Sequence, residues 1–230
     1  MSQTEIRRGP GRPRLGSEDK RERILHEAFD LFARRGYSAT SLNDVARAAD
    51  ISKAGLLHHF ESKEALFSAV LERRDAADMA GMEAFDGDVW AFLDLWVDLV
   101  ERNAGKPGMV GLYTAMAIGG VDADHPAHPW LHHHFLRAID QTAEHFERGK
   151  VGGVVAPDAP SRELARTLVA LSDGIQLQWL CARADAAAAG EGYGGTTPVH
   201  GETPLDMAAQ MRLLVDLIKA RWAAPRVGAA

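Results

Sequence analysis

The 230-residue chain is 46% apolar and has one cysteine, Cys181, so an internal disulfide is excluded, and no apolar run approaches the roughly 20 residues of a membrane span. Its net charge of −6 is unevenly spread: residues 1–74 hold 14 Lys/Arg against 11 Asp/Glu, and the rest hold 12 against 21, so a basic front that meets a polyanion is expected on an acidic body. The charged N-terminus has no apolar stretch behind it, so the reading is a cytoplasmic protein with no signal peptide and no membrane partner.

Helical periodicity dominates and strand-like alternation is scarce, which predicts an all-α protein of about nine helices. Residues 1–16, with Arg12 and Arg14 among glycines and prolines, bury little and are expected to be a disordered basic arm. A first helix is predicted from about Glu18 to Arg35, capped by Ser17 and ended by Gly36, with Ile24, Ala28, Leu31 and Phe32 on its apolar face. Ser41 and Asp44 form an S-x-x-D pattern like a capping box, ahead of a short helix with Leu42, Val45, Ala46 and Ala49 on one side. "ADIS" breaks that pattern. Ser52 then caps a second short helix, Lys53 to His59, buried through Leu56 and Phe60. Ser62 caps a longer one, Lys63 to about Met79, with Leu66, Phe67, Val70 and Leu71 along one side.

Two short helices joined by a tight turn are a helix-turn-helix candidate, whose second helix lies in the major groove of DNA. Its outer side would be Lys53, Ala54, Gly55, Leu57, His58 and His59. The small Ala54 and Gly55 would let the helix sit close to base edges.

The run "RILHEAFDLFARRGYSATSLNDVARAADISKAGLLHHFESKEALFSAVL", residues 23–71, resembles the DNA-binding domain of the tetracycline-repressor (TetR) family. The matching features are Ile24–Leu25, Ala28, Leu31–Phe32, Gly36–Tyr37, Thr40, Val45–Ala46, Ala49, Ile51–Ser52–Lys53, Phe60 and the 62–66 stretch. They cover about a fifth of the chain. The resemblance implies a homodimeric, ligand-responsive transcription regulator, usually a repressor and not an enzyme. A three-helix DNA-binding domain over 17–64 would be joined to a ligand-binding and dimerisation domain over 65–230. Thr40 and Ser41 would hold a phosphate through side chain and helix N-terminus. Asn43, Lys53, Ala54 and Gly55 would face bases, and His58, His59 and Lys63 would grip phosphates. The family usually has Tyr where this chain has Leu57, which either touches a thymine methyl or packs. "GPGRPR" resembles the Arg-Pro core of AT-hook peptides, so Arg12 and Arg14 would enter a narrow A·T-rich minor groove or contact phosphates.

Further on, Val89, Phe92, Leu93, Trp96, Val97 and Val100 mark a helix that "GKPG" stops. Met109, Leu112, Tyr113 and Met116 share the next apolar face. Pro126 or Pro129 starts a helix with Leu131, Phe135, Ala138, Thr142 and Phe146. Ser161 caps another, whose stripe is Leu164, Leu168, Leu171 and Ile175 before it passes Gln178 to Trp179. Residues 185–203 read as a mobile Gly/Ala/Thr linker. Pro204 opens a last helix with Met207, Met211, Leu214, Ile218 and Trp222.

Phe92, Trp96, Met109, Tyr113, Met116, His134, Phe135 and Trp179 are candidates to line a largely apolar effector pocket. Segments 117–135 and 171–180 are similar to the BetI-type subtype. Leu164, Leu168, Leu171 and Ile175, with Met207, Met211, Leu214 and Ile218, would form a four-helix dimer seam about a two-fold axis. Two recognition helices would then face successive major grooves of a near-palindromic operator. His125, His128, His132, His133 and His134 invite a metal reading, but the prolines disturb the helix there and no ligand pattern is complete, so neither metal nor cofactor is expected. The rivals are a DNA-bound activator and a helical metal-dependent enzyme using the 125–134 cluster. No Walker, G-x-S-x-G or H-E-x-x-H motif supports the latter.

Overall fold

The computed structural model describes residues 17–188 and 205–225. Nine helices run through them: α1 (Ser17–Arg35), α2 (Leu42–Ala48), α3 (Lys53–His59), α4 (Lys63–Glu83), α5 (Val89–Ala104), α6 (Pro107–Gly119), α7 (His128–Val151), α8 (Ser161–Ala188) and α9 (Met207–Trp222). The only bridge of β type among the described residues pairs Val155 with Ala223. The protein is all-α. It divides into two compact units at Val70/Leu71, inside α4, six residues beyond the boundary suggested by the sequence. The reason is that the first turns of α4 complete the core of the first unit: the Phe67 ring meets Phe32 edge-on at 5.0 Å and Tyr37 at 4.6 Å.

In the first unit, α1 buries Ile24, Leu25, Ala28, Leu31 and Phe32. It stops where Gly36 takes φ +78, and the Gly36 N–H closes the last turn onto the Phe32 carbonyl at 2.9 Å. The α2 capping box is complete. The Ser41 hydroxyl accepts the Asp44 N–H at 3.2 Å, and the Asp44 carboxylate accepts the Ser41 N–H at 3.1 Å. Between α2 and α3 the chain reverses through Asp50 in the left-handed region, φ 52, a conformation that Asp tolerates better than most residues. Ser52 then caps α3 by accepting the Gly55 N–H at 3.0 Å.

In the second unit, α7 packs along α8, and α5 and α8 both pack against α9. Phe92, Leu93, Phe146, Leu168, Met207 and Met211 are fully enclosed between them. Gly149 permits the turn from α7 to α8. The Val154 and Val155 N–H groups donate to its carbonyl, and a Cβ there would sit 2.7 Å from a Val155 methyl.

Several boundaries differ from the periodicity reading. Ser161 is the first helical residue of α8 rather than its cap, and the Pro160 carbonyl accepts the Leu164 N–H. α8 continues through Ala188, past the predicted start of the linker, because alanines prolong a helix readily. α9 starts at Met207, not Pro204, since Asp206 accepts the Ala209 N–H and caps it. The linker readings at 189–203 and the arm at 1–16 lie outside the described residues.

Candidate nucleic-acid interface and ligand cavity

The α2–turn–α3 pair is held by local bonds, so it presents a defined outer surface. Leu56 and Phe60 anchor α3 to the core. Lys53, Ala54, Leu57 and His58 are exposed, and Gly55 and His59 are half-buried. At i, i+3 and i, i+4 spacing, Lys53, Ala54, Leu57 and His58 share one face. Leu57 is 38% exposed, so it does not pack into the core. Asn43 is exposed on α2.

Three expected phosphate contacts are otherwise engaged. Thr40 is 1% exposed, and its hydroxyl donates to the Gly36 carbonyl at 2.9 Å, which corrects the expectation that its side chain holds a phosphate. The Ser41 hydroxyl donates to the Asp44 carboxylate at 2.5 Å and is committed to the cap. The Lys63 ammonium lies 4.2 Å above the Tyr37 ring and donates to the Ser38 carbonyl at 3.5 Å. Tyr37 in turn donates to Glu64 at 2.8 Å. Burial, with the Glu64 hydrogen bond and charge, raises the Tyr37 phenol well above its ordinary range. Arg12 and Arg14 lie outside the described residues.

A cavity opens within the second unit. Its volume is about 60 Å³, and Met82, Trp96, Leu99, Val100, Ala138 and Val169 form its apolar wall. Arg74, Asp75, Asn103, Tyr113, His134, Ser172, Asp173 and Gln176 form the polar side. Of the residues proposed from sequence, Trp96, Tyr113 and His134 reach it. Phe92, Met109, Met116, Phe135 and Trp179 do not line it. Phe92 instead stacks on the buried His145 ring at 3.8 Å, and Trp179 and Met116 are enclosed in the core.

Two carboxylates in the cavity wall have opposite electrostatics. Asp75 is 2% exposed; it accepts from His134 Nδ1 at 2.8 Å and from the Arg137 guanidinium. Burial acts to raise its carboxyl, but the His134 hydrogen bond and the charges of His134, Arg137 and Arg74 outweigh burial and hold it below the usual range. Asp173 accepts the Tyr113 hydroxyl at 3.0 Å. Burial raises Asp173 above the usual range despite that bond and the charges of His134 and Arg74. Burial and Asp173 together push the Tyr113 phenol up. Sequence reasoning missed the two aspartates, Arg74, Asn103, Ser172 and Gln176. A signal existed for Asp75, which stands four residues after Leu71 on the buried side of α4.

Among the described residues no group of three or more His, Cys, Asp or Glu is placed to hold a metal ion. Three of the 125–134 histidines have separate partners. His125 Nδ1 accepts the Ala127 N–H, His128 Nδ1 bonds the Gly120 carbonyl at 2.7 Å, and His134 meets Asp75.

Most of the expected seam stripes face the unit's own core. Leu168, Ile175, Met207, Met211 and Ile218 belong to the unit's own core, and Leu164, Leu171 and Leu214 pack against it. The outward apolar side chains on α8 and α9 are Leu177, Leu213 and Leu217, which are 45%, 55% and 59% exposed.

Comparison with known proteins bears on the first unit most directly. Residues 24–70 match the family described as bacterial regulatory proteins, tetR family. Over these residues the chain is similar to a TetR-family DNA-binding domain. The HTH-type transcriptional regulator RutR of Escherichia coli (strain K12) is 41% identical over 69 residues, covering 30% of this chain and 32% of that protein. The chain thus spans about a third of the length of the first relatives it matches. The HTH-type transcriptional regulatory protein RaaS of Mycobacterium tuberculosis (strain ATCC 25618 / H37Rv) is 29% identical over 162 residues, 69% of this chain and 70% of that one. The fold is that of a TetR transcriptional regulator from Chloroflexus aurantiacus J-10-FL, at TM-score 0.70 and 22% identity, covering 90% of this chain and 98% of that one. These relatives are transcription regulators. No helix among the described residues is long and apolar enough to cross a membrane.

Proposed function

We propose that this chain is a cytoplasmic, homodimeric TetR-family regulator that represses transcription from a near-palindromic operator and is released by a small molecule. The observation that carries the reading is the capped α2–turn–α3 unit, whose one exposed face combines Lys53, Ala54, Leu57 and His58 within the family match. Asn43 and Lys53 would read base edges, and Ala54 and Gly55 would allow close approach. Leu57, exposed and apolar, would meet a thymine methyl. His58 and His59 would contact phosphates, and Arg12 and Arg14 would reach an A·T-rich minor groove, a role supported by their sequence context alone.

The cavity of the second unit would take the effector. Its mix of apolar wall and polar groups fits a mainly apolar molecule with one polar end. The effector shifts the balance between DNA-competent and released states by no more than its differential affinity for them. Dimerisation would use Leu177, Leu213 and Leu217. The likeness of segments 117–135 and 171–180 to BetI-type regulators supports a body of that subtype. An activator role is the second reading, and the operator's place relative to the promoter separates the two.

Selection from a random DNA pool at near-physiological salt tests the reading. A two-fold-symmetric motif is expected. No enriched motif, with retention lost on a modest rise in salt, would refute sequence-specific regulation.

A further inference from the structure

The chemistry of the cavity wall narrows what it accepts. Asp75 and Asp173 both line it, yet of the two only Asp75 has both oxygens engaged, by His134 and the Arg137 guanidinium. Asp173 has one oxygen bonded, by the Tyr113 hydroxyl. One turn along α8 stands Gln176, 6% exposed, whose amide nitrogen reaches the Ser172 hydroxyl at 3.4 Å and whose amide oxygen is buried without a hydrogen-bond partner. A buried acceptor without a donor costs free energy until a ligand supplies one. The raised carboxyl of Asp173 points the same way: the Tyr113 hydrogen bond and the electrostatic influence of His134 and Arg74 do not offset its burial. Asp173 and Gln176 thus put two acceptors on one edge of the cavity. Opposite chemistry surrounds them, since Trp96, Leu99, Val100 and Val169 present apolar surface and a Trp ring suits a cation as well.

We propose that the cavity binds a small amphiphile with a protonated amine, its ammonium donating to Asp173 and Gln176 and its hydrocarbon part lying on Trp96, Leu99 and Val169. This rests on the reading of the cavity as the effector site. The cavity is small, about 60 Å³, so a short chain fits better than a polycyclic body. Arg74 in the same wall disfavours a second cationic group on the ligand.

Matched probes test this: n-hexylammonium, hexan-1-ol and hexanoate at equal ionic strength, followed by thermal shift and calorimetry on the full chain. Hexylammonium is expected to bind at least tenfold more tightly than the alcohol, the gain of a charge-assisted hydrogen bond over a neutral one. Hexanoate is expected to bind least. Asp173→Asn should bring the amine down to the level of the alcohol, and Gln176→Leu, which keeps the volume and removes the acceptor, should weaken both. Helicity and the unliganded melting temperature check that each variant folds. If hexanoate or hexanol binds as well as the amine, or Asp173→Asn keeps the amine preference, the amine proposal fails while the effector cavity stands. If none of the three binds, the cavity is not an effector site and both ideas fall.

Discussion

Replacing one thymine by deoxyuridine in each operator half-site removes a methyl group and leaves every base-pairing and groove hydrogen bond in place. That substitution addresses Leu57. The side chain is 38% exposed, while its neighbour Leu56 is fully buried, so its apolar surface is free to gain from contact in the major groove. Burying one methyl against it is worth about 0.8 kcal/mol, close to fourfold in affinity. A dimer on a symmetric operator makes the contact twice, so loss of both methyls should cost about fifteenfold. Leu57→Ala at an exposed helical position should change folding stability by less than about 0.5 kcal/mol, so DNA binding can be compared between folded proteins. Fluorescence anisotropy of labelled duplexes at fixed salt measures the cycle. The parent should lose affinity on the uridine duplex at one position per half-site, and Leu57→Ala should bind both duplexes alike. Equal binding of the two duplexes by the parent at every half-site position would refute the contact. So would an undiminished thymine preference in the variant.

Further expectations follow from the same geometry. Thr40→Val should cost about 1–2 kcal/mol of stability by stranding the Gly36 carbonyl, and should leave the affinity of the folded protein for DNA unchanged; a uniform loss of affinity across DNA sequences would put Thr40 on a phosphate after all. Leu213→Glu combined with Leu217→Glu should yield folded monomer in sedimentation at concentrations where the parent is dimeric, and a persistent dimer would move the seam elsewhere. Burial and the Arg148 charge, against Glu144, lower His145 to about 4 from about 6.5. A depressed histidine is stabilising in its neutral form, so its contribution is complete above about pH 6.5 and is lost as pH falls towards 4, up to about 3 kcal/mol. Urea unfolding should show that slope in the parent and a weaker one in His145→Gln; parallel profiles would remove the assignment.

Much of this protein is legible in its sequence because the relevant forces act between near neighbours. Ser41 and Asp44 cap α2 across three residues, Ser52 caps α3 in the same way, and Gly36 ends α1. Spacing of Ile24, Ala28 and Phe32, or of Phe92, Trp96 and Val100, marks the buried side of a helix without reference to its partners. The helix-turn-helix, the all-α class and the outward place of Leu57's neighbours on α3 are therefore local facts.

What covers each apolar face is not local. Leu168, Met207 and Met211 read equally well as a dimer seam or a core. Packing of α5 and α7 onto α8 and α9 decided for the core and left Leu213 and Leu217 outside. The same holds for Thr40, whose hydroxyl turns back to Gly36 instead of outward. The cavity depends most on tertiary structure. Asp75 of α4, Tyr113 of α6, His134 of α7 and Asp173 of α8 meet across 59 and 60 residues of chain, and the two aspartates read in isolation as ordinary polar residues. Sequence by itself determined the helices, their caps and the DNA-reading motif, through contacts a turn apart. Only the packing of distant helices decided which apolar faces are covered and which charges are buried, because desolvation depends on partners that chain order does not name.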